Sequence, residues 1–297
     1  MYDALVVGAG PAGLSAALIL GRCRRRVVVF DRGGHRNAPA RALHGFLSRD
    51  GIKPMELVRL GREELEPYGV DIRDVEIVDA ATAGDDFEVV TAGGERVRGR
   101  TLVLATGVAD RVPELEGLAP LYGTSVFHCP YCDGWELRDR ALAAYAREDK
   151  AVKLGLALLT WSRDVVLCTD GPGGLTAEQR ERLERNGVAV REERVARLEG
   201  RDGRLERVVF ADGSTLEREA LFFKTGHDQA SELPTRLGCN FNQGGHVRTD
   251  ALERTEQPGL FVVGDASQDV QLAIIAAADG VKAGFGADLA LTARDRR

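Results

Sequence analysis

No run in this 297-residue sequence reaches the roughly 18 consecutive apolar residues that a membrane-spanning helix requires. A basic segment followed by an apolar one is also missing at the start. Met1-Tyr2-Asp3 leads straight into an apolar stretch, so no signal peptide is expected and a cytoplasmic location follows. Cysteine is scarce: five residues, unevenly placed, do not make a secreted disulfide scaffold. In a reducing compartment a close cysteine pair is catalytic or metal-binding rather than structural. There is no basic excess either. The formal charge of −6 gives no electrostatic reason to expect nucleic acid. The Arg24-Arg25-Arg26 run sits just before a strand and reads as a solvated turn. What the chain does have is a globular composition, 44% hydrophobic and 29% charged, at a length that suits one large or two ordinary domains.

Leu5-Val6-Val7 reads as a buried strand, followed by a glycine loop, a helical pattern from Leu14 to Leu20, and a second strand at Val27–Phe30. That order opens a doubly wound α/β fold. Residues 33–51 read as a long loop with at most one helical turn. Glu56 to Tyr68 reads as helix and Asp71 to Val78 as strand. Ala92-Gly93-Gly94 is a turn between strands at 87–91 and 95–100, and Thr101–Ala105 reads as a further buried strand. The middle repeats the architecture faintly. Strand patterns at Arg140–Tyr145, Val165–Cys168, Val188–Val190 and Leu221–Phe223 alternate with helices at Lys150–Trp161 and Ala177–Arg185, the latter with Thr176 as N-cap. Leu260–Val263 and a long alanine-rich helix from Gln271 to Leu289 close the chain. The simplest organisation is a first domain in two sequence pieces with a second inserted between them.

Gly8-Ala9-Gly10-Pro11-Ala12-Gly13 follows a strand and opens a helix, and Asp31 ends the next strand. Gly8 permits the tight turn, Gly10 lets backbone approach a pyrophosphate, and Gly13 allows close helix packing. The free N–H groups of the helix start suit phosphate. Asp31, at the offset of a ribose hydroxyl ligand, argues against a 2′-phosphate there. The motif alone does not separate FAD from NAD.

His128-Cys129-Pro130-Tyr131-Cys132-Asp133 is the chemical centre of the sequence. Two cysteines at this spacing form a disulfide in a tight turn or supply one face of a metal site. A structural zinc would need two more ligands at similar spacing. Cys168 and Cys239 stand alone, and they and Cys23 read as buried, inert thiols. A redox role fits better, because thiolate attack on a disulfide needs a resolving partner nearby. Asp133 is placed to exchange a proton with a leaving thiolate. His128 is suited either to assist or only to pack and hydrogen-bond. A dithiol and a flavin each exchange two electrons, so a dinucleotide fold and this pair in one chain suggest flavin–disulfide exchange.

Through Gly8 to Gly13, Ala105-Thr106-Gly107, Cys129 to Asp133, and Val263-Gly264-Asp265 with Gln271-Leu272-Ala273, the chain resembles the low-molecular-weight thioredoxin reductase family over nearly its full length. The resemblance implies an α/β fold of two Rossmann-like domains of the FAD/NAD-linked reductase type. Residues 1–112 and 246–297 would form the FAD-binding domain, and 113–245 the insert that carries the redox pair. Gly8, Gly10, Pro11, Ala12 and Gly13 would hold the FAD pyrophosphate, with Ala105, Thr106 and Gly107 also at the cofactor. Gly264 and Asp265 would meet the ribitol and pyrophosphate, and the backbone of Gln271, Leu272 and Ala273 the isoalloxazine. Cys132 would react at the flavin, Cys129 would attack the substrate, and Asp133 would donate the proton. The resemblance further implies a homodimer, domain rotation, and a thioredoxin-like protein or a small dithiol or disulfide as substrate.

Three stretches depart from the family pattern. Where its second domain carries a glycine-rich NADPH loop, this chain reads Leu142 to Ala151 without a glycine, with Ala146 and Glu148 at the first two glycine places. Side chains there oppose close backbone approach, and Glu148 adds like charge. Where the family has a basic cluster, this chain has Thr169-Asp170-Gly171, of the wrong sign for a 2′-phosphate. The usual glycine-glycine-glutamine loop is replaced by Gly34 to Pro39 and His44-Gly45-Phe46. Arg36, Asn37 and His44 are suited to contact FAD or to stabilise their loop. The leading expectation is an FAD-dependent disulfide oxidoreductase without conventional NADPH use, with ferredoxin among the candidate donors. The alternatives are a flavin-dependent dithiol oxidase using oxygen and a non-enzymatic flavin-containing redox sensor or interaction protein.

Overall fold

The computed structural model describes residues 1–296. The first piece of the chain runs β1 (Tyr2–Val7), α1 (Pro11–Arg22), β2 (Val27–Phe30), α2 (Pro54–Glu63) and β3 (Asp71–Arg73). Strands β4 (Ile77–Ala83), β5 (Asp86–Thr91), β6 (Arg96–Leu104) and β7 (Val108–Asp110) follow. The middle begins with β8 (Val126–Phe127), α3 (Pro130–Asp133), β9 (Leu142–Tyr145), α4 (Glu148–Leu158), β10 (Val165–Cys168) and α5 (Ala177–Arg185). It continues with β11 (Ala189–Arg191), β12 (Val195–Arg201), β13 (Arg204–Phe210), β14 (Thr215–Glu217) and β15 (Ala220–Phe223). The last piece holds β16 (His227–Gln229), α6 (Leu233–Arg236), β17 (Leu260–Val262) and α7 (Ala273–Asp295).

Two compact units result: residues 1–38, 45–109 and 228–296 form one, and 39–44 with 110–227 the other. In the first, the sheet order is β3-β2-β1-β6-β5-β4, with β17 also on β6. Strands β1, β2, β3, β6 and β17 are parallel, and β4 and β5 add an antiparallel flap. Alternate residues of β1 and β2 enter two different apolar clusters. Ala4, Val6, Val27 and Val29 face α1 and α7, whereas Leu5, Val7, Val28 and Phe30 join Phe87, Leu233 and Val262. Helices α1 and α7 cross closely because glycine faces backbone. A Cβ on Gly280 would lie 2.0 Å from the Ala12 carbonyl oxygen, and one on Gly284 2.9 Å from that of Ala16.

The second unit repeats the parallel scheme as β11-β10-β9-β15-β8, with a separate antiparallel sheet β12-β13-β14. Thr176 caps α5 as expected, and its capping box with Gln179 is complete.

Several sequence expectations meet a different local structure. The strands expected at 95–100 and 101–105 are one strand, β6. Its first half alternates buried and exposed residues against β5, and its second half is buried on both faces between β1 and β17. One element therefore shows two periodicities. The single strand expected over 71–78 is β3 and the start of β4, which lie at opposite ends of the sheet order. Residues 228–245, assigned with the insert on sequence, belong to the first unit, where Leu233, Leu237, Cys239 and Phe241 join its core. Cys23 is exposed rather than buried, since α1 ends there and the chain turns outward. Cys168 is buried in β10, and Cys239 is half-buried after α6. Among the described residues no helix is long and apolar enough to cross a membrane, and no group of three or more His, Cys, Asp or Glu could hold a metal ion.

Candidate active site

In the first unit the β1–α1 turn gives each glycine a separate task. Gly8 has φ +106°, and a Cβ there would lie 2.3 Å from the Ala105 carbonyl oxygen. A Cβ on Gly13 would lie 1.8 Å from the Gly8 carbonyl oxygen, so the helix starts packed on its own turn. Gly10, the N-cap of α1, has nothing within 4 Å of a Cβ position and leaves an open side. Pro11 occupies the first helical position, where its missing N–H costs nothing, and no side chain caps the helix. The first-turn amides of Ala12 and Gly13 thus have no intrahelical partner.

Asp31, at the end of β2, is buried. Its Oδ1 accepts from the Gly33 N–H at 3.1 Å, and its Oδ2 lies 2.5 Å from Arg62 Nη2 and 3.4 Å from His35 Nε2. Burial opposes its charge, but His35, the Gly33 amide and Arg62 together hold the carboxyl well below the usual carboxylate range. A cleft of about 710 Å³ opens here, lined by Asp31, Gly33, Gly34, Met55 and Val58 among others.

Farther along the same unit, Arg36 Nη1 donates to Asp265 Oδ2 and to Gln271 Oε1, both at 2.8 Å. Gln271 Nε2 in turn lies 3.4 Å from His246 Nε2, and His246 Nδ1 lies 3.0 Å from Asp269 Oδ1. Arg36, Asp265 and Gln271 are therefore one connected group, and Leu272 caps α7 just before Ala273. Gly264 turns at φ +69° beside Ala12. Ala105 donates to the Val7 carbonyl, and Gly107 accepts from Ala230. Between them, Thr106 Oγ1 is buried with no hydrogen-bond partner in the protein, as is Gln229 Oε1. Asn37 lies half-buried in the turn after Arg36.

In the second unit, Cys129 and Cys132 are joined in a disulfide, with Cα atoms 5.3 Å apart. Cys129 is the N-cap of α3, Pro130 starts it, and Gly134 donates back to Pro130. The indole of Trp161 packs against Gly134, where a Cβ would lie 2.5 Å from the ring, and it meets Tyr131 edge-on at 5.4 Å. Burial pushes the Asp133 carboxyl up to about 7, and Glu136 adds to the rise while His44 opposes it. His44 belongs to this unit, 3.6 Å from Glu136. His128 stands apart from that trio, with Nδ1 3.3 Å from the Tyr122 hydroxyl and 3.7 Å from Asp110.

The turn from β9 into α4, where a second dinucleotide loop would stand, is closed by the chain itself. The Glu148 N–H donates to the Gly173 carbonyl at 2.8 Å, and Arg147 Nη2 donates to Pro172 at 3.1 Å. Tyr145 donates from its hydroxyl to Asp170 Oδ2 at 2.9 Å, and Asp170 Oδ1 accepts from Val195 N–H at 2.9 Å. Ala146 is buried.

The sequence profile of the pyridine nucleotide-disulphide oxidoreductases matches residues 2–280. The chain belongs to this family. Among similar proteins, the thioredoxin reductase sirT of Leptosphaeria maculans is 31% identical over 96% of this chain and 93% of its own. The thioredoxin reductase of Mycolicibacterium smegmatis is 27% identical over 99% and 98%. Among solved structures, HlmI superposes with a TM-score of 0.94 at 37% identity, covering 99% of this chain and 93% of that one. A putative thioredoxin reductase from Bacillus anthracis gives 0.94 at 32% identity over 99% and 100%. This oxidoreductase is thus thioredoxin-reductase-like, a flavin-dependent disulfide oxidoreductase with a Cys129–Cys132 disulfide.

In this oxidoreductase the tertiary structure adds partners that no local pattern announces. Arg62 reaches Asp31 from α2, and His246 reaches Gln271 across the first unit. Neither has a signal in sequence spacing. Trp161, in the turn after α4, is marked in sequence only by being aromatic.

Proposed function

We propose that this oxidoreductase uses FAD, bound to the first unit, to exchange two electrons with the Cys129–Cys132 pair, and that NADPH is not its ordinary donor. The residues present fit FAD. Gly10 offers an open side at unpartnered helix amides, and the buried Thr106 Oγ1 has a hydrogen bond still to make. Gly8 to Gly13 would hold the pyrophosphate, Asp31 the ribose end, and the Arg36–Asp265–Gln271 group with Leu272 and Ala273 the flavin end. Bound FAD supplies a two-electron donor and acceptor.

The residues of the redox turn would then act in sequence. With the pair reduced, Cys129 attacks one sulfur of a substrate disulfide as a thiolate. A mixed disulfide forms and one substrate thiolate leaves. Asp133, with its carboxyl pushed up to about 7, is neutral often enough to give that thiolate a proton. Cys132 then attacks Cys129, which releases the second substrate thiolate and restores the Cys129–Cys132 disulfide. His44 and Glu136 set the charge around Asp133. A thioredoxin-like protein is the substrate class that the relatives' names suggest.

The Glu148–Gly173 hydrogen bond carries the reading of the donor, because it uses an amide that a bound phosphate would need. The same closure favours a second reading, a dithiol oxidase that runs in reverse and passes electrons to oxygen. Anaerobic reduction with NADPH, NADH and reduced ferredoxin, followed by the flavin spectrum, tests the donor. Failure of any reductant to reduce the disulfide through the flavin would sink the main reading, and oxygen uptake driven by dithiols would establish the second.

A further inference from the structure

The flavin end of the first unit holds a line of polar contacts that the redox steps above leave unused. Arg36 comes from the loop after β2, Gln271 from the segment entering α7, and His246 from the loop between α6 and β17. They meet at the side-chain amide of Gln271. An arginine can only donate, so the 2.8 Å contact from Arg36 Nη1 identifies Gln271 Oε1 as the end facing Arg36. Nε2 is then the end facing away, 3.4 Å from His246 Nε2 and 3.4 Å from the Gln268 carbonyl oxygen.

His246 is 3% exposed, and its two ring nitrogens face opposite demands. Nδ1 lies 3.0 Å from Asp269 Oδ1, off hydrogen-bond alignment but close enough that a bare lone pair there would face the carboxylate. Nε2 faces the N–H groups of Gln271, where a ring proton would meet another donor. A single ring proton carried on Nδ1 meets both demands and leaves Nε2 as an acceptor. The ring is placed by its backbone rather than by these contacts. The His246 N–H donates to Asn242 Oδ1 at 3.1 Å, and the Asn242 N–H donates to the His246 carbonyl at 2.8 Å. The next residue, Val247, is buried in the core, and its N–H donates to the Ala266 carbonyl at 2.9 Å. His246 therefore offers Gln271 an acceptor fixed from outside the flavin end. Asp265 Oδ2 is the second acceptor on Arg36 Nη1, also at 2.8 Å, and two acceptors on one nitrogen define where it sits.

We propose that His246, protonated on Nδ1, is a positioning residue of the flavin site. It holds the Gln271 amide in the orientation that keeps the Arg36 guanidinium in place at the flavin end. The proposal rests on the FAD reading above. A cation held there favours the negative charge that a flavin gains on reduction, so loosening Arg36 lowers the two-electron potential.

Spectroelectrochemical titration of the FAD-loaded full chain tests it, with His246→Phe, His246→Gln and Gln271→Leu as variants. His246→Phe keeps a ring without an acceptor. It should lower the reduced-to-oxidised flavin ratio at a fixed ambient potential by about tenfold, a shift of about 30 mV. His246→Gln carries an amide oxygen that can take the place of Nε2, and it should restore at least half of that shift. Gln271→Leu should lower the potential as His246→Phe does, and the double variant should lower it no further, since both act on one contact. A wild-type potential in flavin-loaded His246→Phe, equal shifts in His246→Phe and His246→Gln, or additive shifts in the double variant would overturn this proposal alone. A wild type that takes up no FAD would overturn the FAD reading as well.

Discussion

The backbone N–H of Glu148 points at the carbonyl of Gly173, 2.8 Å away, and so spends the first amide of α4 within the chain. A phosphate at that helix start would have to break this bond and lie beside the Glu148 and Asp149 carboxylates. Stopped-flow mixing with millimolar NADPH should therefore leave the flavin absorbance unreduced on the timescale of turnover. Rapid bleaching by NADPH would show that the site opens.

The Asp133 carboxyl, pushed up to about 7 by burial, gives a pH signature. In the direction that reduces a substrate disulfide, the neutral acid is the proton donor, so the rate should fall as pH rises through about 7. In the direction that oxidises a dithiol, the carboxylate is the acceptor, and the rate should fall as pH drops through the same range. Asp133→Asn should flatten both profiles and slow both rates by about 10²-fold or more. A wild-type inflection that persists in the Asn variant would assign the titration to another group.

The same shift bears on stability, with the opposite sign to a salt-bridged carboxylate. The folded pKa is raised, so the folded state keeps its proton longer than the unfolded chain does. Unfolding free energy should decline as pH rises from the ordinary carboxylate range to about 7, and then level off. Asp133→Asn should match the wild type near pH 4 and exceed it near pH 8, by up to a few kcal/mol. Urea denaturation at the two pH values measures this.

Thr106 Oγ1 is buried without a protein partner. If FAD supplies that partner, Thr106→Val should weaken FAD retention by roughly fivefold, the effect of about 1 kcal/mol for one hydrogen bond. Thr106→Ser should retain it. Equal retention by the valine variant, measured by flavin release on dilution, would remove Thr106 from the cofactor site.

Gly280 is where α7 meets the backbone of α1, and a Cβ there would lie 2.0 Å from the Ala12 carbonyl oxygen. Gly280→Val should cost about 3 kcal/mol by overpacking and loosen the α1 start. Loss of bound flavin should accompany the lower urea midpoint. A variant of native stability would mean that the helices separate easily.

Some of this architecture was readable residue by residue. Thr176 and Gln179 announce the start of α5 because a capping box is local, and its parts lie three residues apart. The Gly8–Gly13 turn is equally local, since its constraints are steric and act within a few residues. Strand β6 reads in sequence as two because its halves lie in different environments, and β17, which with β1 encloses the second half, is distant in the chain. Residues 228–245 gave no boundary signal, because their allegiance rests on Leu233 and Phe241 reaching a core built from other segments.

The sequence by itself determined the reactive segments: a glycine turn after the first strand, a cysteine pair three residues apart with an adjoining carboxylate, and a stretch from Leu142 to Ala151 without a glycine. These are properties of short segments, set by steric limits and reactive groups. The tertiary structure decided the environments. Burial around Asp133 sets its proton affinity, Arg62 and His35 set the charge state of Asp31, and the 169–174 loop closes the start of α4. Desolvation and charge pairing depend on which distant residues arrive within a few ångströms, and only the folded chain specifies that.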